Sequence, residues 1–114
     1  MSQERIAALL SLAEQQPDQE MIWYGLANEY LKLEQWGEAA NALRRVITLN
    51  ADFTAAYQML GTALMRQGDV EEARRVWTQG IAVADRTGAW KARQHMEGLL
   101  AGAEEQARGA DFCD

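Results

Sequence analysis

The sequence predicts an all-α protein of about six helices packed as antiparallel pairs. Apolar residues recur along most of the chain with the i, i+3, i+4, i+7 spacing of one buried helix face. No alternating run is long enough for a strand, and β-branched residues are sparse. The chain also matches itself after a shift of about 34 residues, which is typical of stacked helical hairpins. Under this shift, called the repeat period below, Trp23 falls on Tyr57 and Leu43 falls on Trp77.

The first two helices lie on either side of Pro17. Proline cannot continue a helix, so we expect the first helix to end there. Its predicted buried face consists of Ile6, Leu9, Leu10 and Ala13. Asp18 is the predicted cap of the second helix, because its carboxylate can accept backbone N–H bonds that lack a partner within the helix. The buried face of the second helix consists of Trp23, Leu26, Ala27 and Tyr30.

The third and fourth helices are separated near Asp52, which is the predicted cap of the fourth. Their buried faces consist of Ala39, Leu43, Val46 and Ile47, and of Tyr57, Leu60, Gly61 and Leu64. The pair Gly68-Asp69 is the clearest break in the chain. Gly68 can adopt the left-handed conformation that ends a helix, and Asp69 is the predicted cap of the next.

The last two helices follow this break. The fifth is predicted from Ala73, Trp77 and Ile81, and a sixth beyond Gly88 from Trp90, Met96, Leu99 and Leu100. From about Ala103 the chain becomes small and polar, so we expect it to fray.

The repeat resembles the tetratricopeptide repeat family. The matching motifs are Trp23-x2-Leu26-Ala27-x2-Tyr30 followed by Ala39-x3-Leu43, and Tyr57-x2-Leu60-Gly61-x2-Leu64 followed by Ala73-x3-Trp77. Small residues in matched positions make physical sense, because paired helices cross closely there and larger side chains would force them apart. Ala51 and Asp85 depart from the family's closing proline, and residues beyond 88 no longer match.

The resemblance implies a short right-handed α-solenoid. The predicted organisation is a half-repeat helix at 1–17, two repeats at 18–53 and 54–87, a capping helix at 88–102 and an acidic flexible tail at 103–114. The starting methionine and the polar end lead us to expect a complete small protein.

Composition and motifs argue against several functions. Eleven basic against seventeen acidic residues give a net charge of −6, which disfavours nucleic-acid binding. A single cysteine, Cys113, excludes an intramolecular disulfide and a cysteine-based zinc site. No apolar run approaches the length of a membrane span and no clear signal peptide is present, so we expect a cytoplasmic protein without a membrane partner. His95, the only histidine, has no nucleophile motif beside it, and we predict no catalytic residue, cofactor or metal.

In the family that this chain resembles, the first helix of each repeat lines a concave groove that binds peptides. That resemblance assigns the peptide groove to Tyr24, Asn28, Leu31, Lys32, Gln58, Thr62, Met65 and Arg66. These residues lie off the buried stripe, and three of them are larger apolar groups than a solvated face needs. With two cations beside them, they predict a ligand that carries apolar anchors and an acidic group. The alternative is that they pack beneath the cap or the first helix.

One subclass of that family clamps the C-terminal carboxylates of chaperones. Asn28 matches one clamp residue, but Tyr24 replaces a lysine and Met59 replaces an asparagine, so a chaperone cofactor of this kind is not predicted. A further hypothesis places the acidic tail, with Phe112 as its aromatic anchor, in the groove.

The sequence therefore predicts a non-catalytic protein–protein interaction module that is a monomer or a weak homodimer. The alternative is a homo-oligomeric structural unit that associates through its terminal helices. That alternative requires an apolar outer face on residues 2–16, where Leu12 lies off the buried stripe.

Overall fold

A computed structural model describes the backbone of residues 2–112 and the side chains of residues 3–106. Its helices are α1 (Ser2–Gln15), α2 (Glu20–Lys32), α3 (Trp36–Leu49), α4 (Thr54–Arg66), α5 (Val70–Thr87) and α6 (Trp90–Phe112). The described backbone contains these six helices and no strand. The prediction of an all-α fold with about six helices is confirmed.

The helices form a stack in which each one packs against its neighbours in the sequence. α4 begins one repeat period after α2, and α5 begins one repeat period after α3, so the two central hairpins are successive copies of one unit. α4 also touches α6 directly. Alternate helices therefore form the two faces of the stack, with α2, α4 and α6 on one and α1, α3 and α5 on the other.

Small residues lie where the paired helices cross. Ala27, Ala39 and Ala73 are fully buried. A Cβ atom added to Gly61 would collide with the indole of Trp77, so only glycine leaves room for that ring between α4 and α5. A Cβ atom on Gly80 would likewise press on the Met96 side chain, which places α5 and α6 in close contact.

The two repeats share a hydrogen bond from a large aromatic residue to the preceding loop. Trp23 Nε1 donates to the Pro17 carbonyl at 2.9 Å, and Tyr57 Oη donates to the Ala51 carbonyl at 2.8 Å. Both the donors and the acceptors are one repeat period apart. The aromatic side chain thus fixes the entry to its own helix in both repeats.

The predicted helix caps are mostly wrong. α2 and α4 begin after Gln19 and Phe53, one residue later than expected, so Asp18 and Asp52 do not cap them. Asp69 occupies the N-cap position of α5, but its carboxylate makes no capping hydrogen bond. The carboxylate of Asp52 instead accepts a hydrogen bond from Arg86 at 2.7 Å, a charge-assisted contact stronger than a neutral one.

Two glycines adopt the left-handed conformation at helix ends. Gly68, after α4, has φ of 86°, as the sequence predicts, and Gly88, after α5, has φ of 78°.

α6 is longer than the sequence predicts. It continues past residue 102 to Phe112, and Ala103 is only 2% exposed. Alanine and glutamate are strong helix formers, so the small, polar segment propagates the helix instead of ending it. Cys113 and Asp114 lie outside the described residues.

Two apolar residues predicted on buried faces are exposed. Leu10 is 43% exposed because it borders an opening between α1 and α3. Trp90 is 61% exposed. It begins α6 six residues before the buried Met96, and this spacing turns it away from the packed face.

Candidate peptide-binding groove

The eight predicted groove residues occupy matching positions on α2 and α4. Each helix contributes residues at i, i+4, i+7 and i+8, which lie along one side of a helix. Six of them are half-buried, whereas the cations Lys32 and Arg66 at the helix ends are exposed. These side chains therefore form neither core nor a fully solvated surface.

An apolar cleft of about 340 Å³ opens between α4 and α6 and is called the α4–α6 cleft below. One wall consists of Thr62, Met65 and Arg66, which are three of the eight predicted residues. The opposite wall consists of Gly98, Leu99 and Gly102, and Trp77 and Ala103 also line the cleft. A Cβ atom added to Gly98 or Gly102 would meet no atom within 4 Å, so these glycines keep that wall open.

Thr62 and Gln58 belong to a network that joins α4 to α5. Thr62 Oγ1 donates to the Gln58 carbonyl at 3.1 Å, and Trp77 Nε1 donates to the same carbonyl at 3.2 Å. Because the Thr62 hydroxyl proton is used within the helix, that side chain offers a ligand its methyl group and an acceptor oxygen.

At the α2 end, the predicted residues are already engaged within the chain. The Tyr24 ring packs against Phe53 with 4.8 Å between ring centroids. The Lys32 ammonium lies 3.3 Å from a carboxylate oxygen of Glu29. The other oxygen of Glu29 accepts a hydrogen bond from Arg5 of α1 at 3.3 Å.

Glu29 is a buried carboxylate, only 4% exposed. Burial opposes its ionisation, but the ion pairs with Lys32 and Arg5 and the hydrogen bond from Arg5 outweigh burial, so the pKa of Glu29 lies below its ordinary value. The ionised carboxylate is shared by Lys32 and Arg5, so it reduces the positive charge at the α2 end of the candidate groove without cancelling it.

Arg66 differs from Lys32 in this respect. Its guanidinium lies over the ring of Trp36, with 5.8 Å to the centroid. Among the side chains of residues 3–106 it has no ion-pair partner. The α4–α6 cleft is therefore apolar with an unbalanced positive charge at its rim.

The α6 wall of the cleft is the part that sequence reasoning missed. α5 has 18 residues and α3 has 14, so α6 begins later than one repeat period after α4. A fixed shift of one repeat period carries the buried-face residues Tyr57, Leu60 and Gly61 onto Lys91, Gln94 and His95, which are all exposed, so the match ends at residue 88. The same shift carries Met65 of the candidate groove onto Leu99. Aligning the apolar face of α6 on the buried Met96 would have placed Leu99 on this wall.

These side chains are suited to binding. The candidate groove combines apolar surface with two cations, of which Lys32 is paired with Glu29 and Arg66 has no ion-pair partner among the described side chains. Residues 3–106 contain no group of three metal-ligating side chains. No helix in the described part of the chain is long and apolar enough to cross a membrane.

The stack of antiparallel hairpins with an open cleft along one face places the protein among the α-helical repeat proteins. A family model described as tetratricopeptide repeat matches residues 30–94. The chain belongs to the tetratricopeptide repeat family. Proteins of this family and fold are typically non-catalytic interaction modules.

Similar proteins agree with this assignment. The TPR repeat-containing protein PA0015 of Pseudomonas aeruginosa is 31% identical over 83 residues, which cover 73% of this chain and 79% of that protein. The solution structure of protein BPP2914 from Bordetella parapertussis is 25% identical, with a TM-score of 0.77 over 89% of this chain and 88% of that one. The first TPR domain of Spaghetti, bound to the HSP90 peptide SRMEEVD, is 17% identical and shows the same fold, with a TM-score of 0.80 over 94% and 80% of the two chains.

Proposed function

We propose that this protein is a non-catalytic interaction module that binds a peptide or a partner helix along the face formed by α2, α4 and α6. The α4–α6 cleft is the observation that carries this proposal, because it joins the predicted α4 residues to a second wall on α6. Its volume of about 340 Å³ suits one large apolar side chain. In this proposal the module acts as a scaffold. Its cytoplasmic location stays a prediction.

The charges favour a ligand with an acidic group near its apolar anchor. Arg66 at the cleft rim has no ion-pair partner among the described side chains, whereas Lys32 is paired with Glu29. A ligand carboxylate gains more at Arg66, since binding Lys32 would compete with an existing ion pair. Tyr24, Asn28 and Leu31 then contact the remainder of the ligand in this proposal.

A structural neighbour with a bound peptide supports the proposal that this fold binds peptides, but the residues of this chain do not favour the same peptide. The SRMEEVD peptide is bound by the TPR domain of Spaghetti. In this chain Tyr24 packs on Phe53, and Met59 packs against the core, where the chaperone-binding subclass has a lysine and an asparagine. We therefore expect this peptide to bind weakly here.

The experiment is selection of a random peptide library against the full chain, followed by calorimetry with the selected peptides. We expect a consensus of one large apolar residue close to an acidic one. Gly102→Leu should lower the affinity about tenfold or more, because the added side chain fills space that the ligand would occupy. Ala101→Leu, at an exposed position on the same helix, is the matched control and should bind as the parent chain does.

Two results would contradict the proposal. One is a set of selected peptides whose affinity is unchanged by Gly102→Leu. The other is selection of basic peptides that bind equally well to Arg66→Glu, since the cleft would then set neither shape nor charge preference.

The homo-oligomeric alternative finds less support in α1. Leu10 and Leu12 remain 43% and 39% exposed, as that alternative requires. However, residues two positions apart point about 200° apart around a helix, so they lie on different sides of α1. Between them the outward side carries Glu4, Ala8, Ser11 and Gln15, which form no apolar stripe.

A further inference from the structure

The other face of the stack has an opening between α1 and α3, called the α1–α3 crevice below. Its volume is about 340 Å³. Trp23, Leu26 and Tyr30 of α2 line its floor, and the exposed Leu10 of α1 forms one side. None of the eight predicted groove residues borders it.

The protein contains a second copy of this opening one repeat later, between α3 and α5. That copy is smaller, at about 270 Å³. Leu60, Glu72 and Val76 line it, and they lie one repeat period after Leu26, Glu38 and Ala42. The matching pairs show that both openings arise from the repeat. The residues that line the two openings can therefore be compared position by position.

The two copies differ where a ligand would touch them. Arg44 in the second copy corresponds to the exposed Leu10 in the first. Val76 corresponds to the smaller Ala42, which helps to explain the larger volume of the first opening. The α1–α3 crevice is therefore larger than its counterpart, and it has an exposed leucine where its counterpart has an arginine.

The carboxylates of the two copies also differ. Glu72 is paired with Arg75 at 2.6 Å, but the residue that corresponds to Arg75 is Asn41. Within residues 3–106, Glu38 has no ion-pair partner. The α1–α3 crevice thus has a carboxylate whose charge is unbalanced by the chain.

A cation marks the other end of the crevice. The Arg45 guanidinium lies over the Trp23 ring, 5.5 Å from its centroid. Glu38 and Arg45 are seven residues apart on α3, which corresponds to about 10 Å along a helix. Apolar surface lies between a negative end and a positive end.

We propose that the α1–α3 crevice is a second docking site, and that it binds an amphipathic helix of a partner protein. The helix carries a large apolar side chain that contacts Leu10, Trp23 and Tyr30. A basic residue faces Glu38, and an acidic residue two turns away faces Arg45. Charge complementarity at both ends selects this partner, and the site works independently of the α4–α6 cleft.

The test uses the full chain labelled with ¹⁵N and a short, capped helical peptide built on alanine and glutamine. The peptide carries lysine and glutamate seven residues apart with a leucine between them. We expect saturable NMR shifts of the Trp23 indole N–H and of the Leu10, Glu38 and Asn41 amides, with no shift at Thr62 or Leu99. Replacing the peptide leucine with alanine, or its lysine with glutamate, should weaken binding.

Two variants place in the α1–α3 crevice the residues found at the matching positions of the opening between α3 and α5. Asn41→Arg supplies Glu38 with the partner that Glu72 has, and should weaken peptide binding about two- to fivefold, the range of an exposed ion pair. Leu10→Arg should weaken it about tenfold, because apolar contact is lost. Both positions are exposed, so the fold tolerates the changes, and Glu72→Gln is the matched control that should leave affinity unchanged.

Several results would overturn the proposal. They are shifts centred on Thr62 and Leu99, equal binding of the peptide in which glutamate replaces lysine, unchanged affinity in Leu10→Arg, and absence of saturable shifts. Self-association that buries Leu10 would also overturn it, because the occupant would then be a second copy of this chain.

Discussion

Gly61 marks a point of close approach between α4 and α5, since an added Cβ would collide with the Trp77 indole. We expect Gly61→Ala to lower the free energy of unfolding by about 1–3 kcal/mol, the usual cost of overpacking a core. Urea denaturation measures this change. Gly98→Ala is the control, because its Cβ meets nothing within 4 Å, and it should stabilise α6 by up to about 1 kcal/mol. Equal effects of both substitutions would contradict the close approach.

Glu29 links α1 to the charge of the candidate groove. Its folded-state pKa is below the ordinary value of a glutamate because Lys32 and Arg5 stabilise the ionised carboxylate. A depressed pKa stabilises the fold above the unfolded-state pKa, and this stability is lost as the pH falls through the folded-state pKa. We expect Glu29→Gln to reduce the acid dependence of unfolding below about pH 5.

Carbon-detected NMR titration of the Glu29 carboxylate tests this directly in the parent chain and in Lys32→Gln. The variant should move the titration of Glu29 to higher pH. A titration at the ordinary value in the parent chain would show that Lys32 is not paired with this carboxylate. The assignment of Arg66 as the main anion contact would then lose its support.

At the scale of single elements, the sequence predicts helices well and their ends poorly. The faces of α2 and α4 follow from period and residue size, because burial selects large apolar residues at fixed spacing. The cap residues do not follow in the same way. Asp52 is a good cap by type, but the guanidinium of Arg86, one repeat period further along the chain, competes for its carboxylate. A contact between distant elements overrides the local preference.

The candidate site is predictable only as far as the repeat is regular. The α4 wall follows from the repeat period, and the same shift carries Met65 onto Leu99 of the α6 wall. Gly98 and Gly102 do not follow from it, because the longer α5 changes the register of α6. The roles of Glu29 and Gly102 depend on which neighbours the fold brings near them. The spacing of residues along one helix does not indicate which side chains of other helices will lie near them.

α6 provides a prediction at this scale, because Ala103 is buried and Ala101 is exposed. Ala103→Glu should lower the free energy of unfolding by about 1–3 kcal/mol, since the packed side of α6 has no room for a solvated carboxylate. Ala101→Glu, with the same change in charge, should have an effect within about 0.5 kcal/mol. Thermal unfolding followed by circular dichroism measures both. Equal stabilities would mean that α6 packs against the stack only before residue 102.

The whole molecule is a short stack in which each helix is stabilised mainly by its neighbours. Its two terminal helices are the places where stacking could continue into another copy. At the start of α6 the exposed side chains are Trp90, Lys91, Arg93, Gln94 and His95, and the exposed residues from there to residue 106 are charged, polar or small. On α1 the exposed leucines are on different sides. Among the side chains of residues 3–106, neither terminal helix presents the continuous apolar stripe that a stable self-association requires.

We therefore expect a monomer of 12.8 kDa at all concentrations in light scattering under reducing conditions. Reduction matters because Cys113 can form an intermolecular disulfide that is unrelated to helix stacking. Leu10→Gln and Leu12→Gln should leave the mass unchanged. A dimer that depends on concentration and is abolished by one of these substitutions would identify the side of α1 that associates, and would move the homo-oligomeric function ahead of the interaction module.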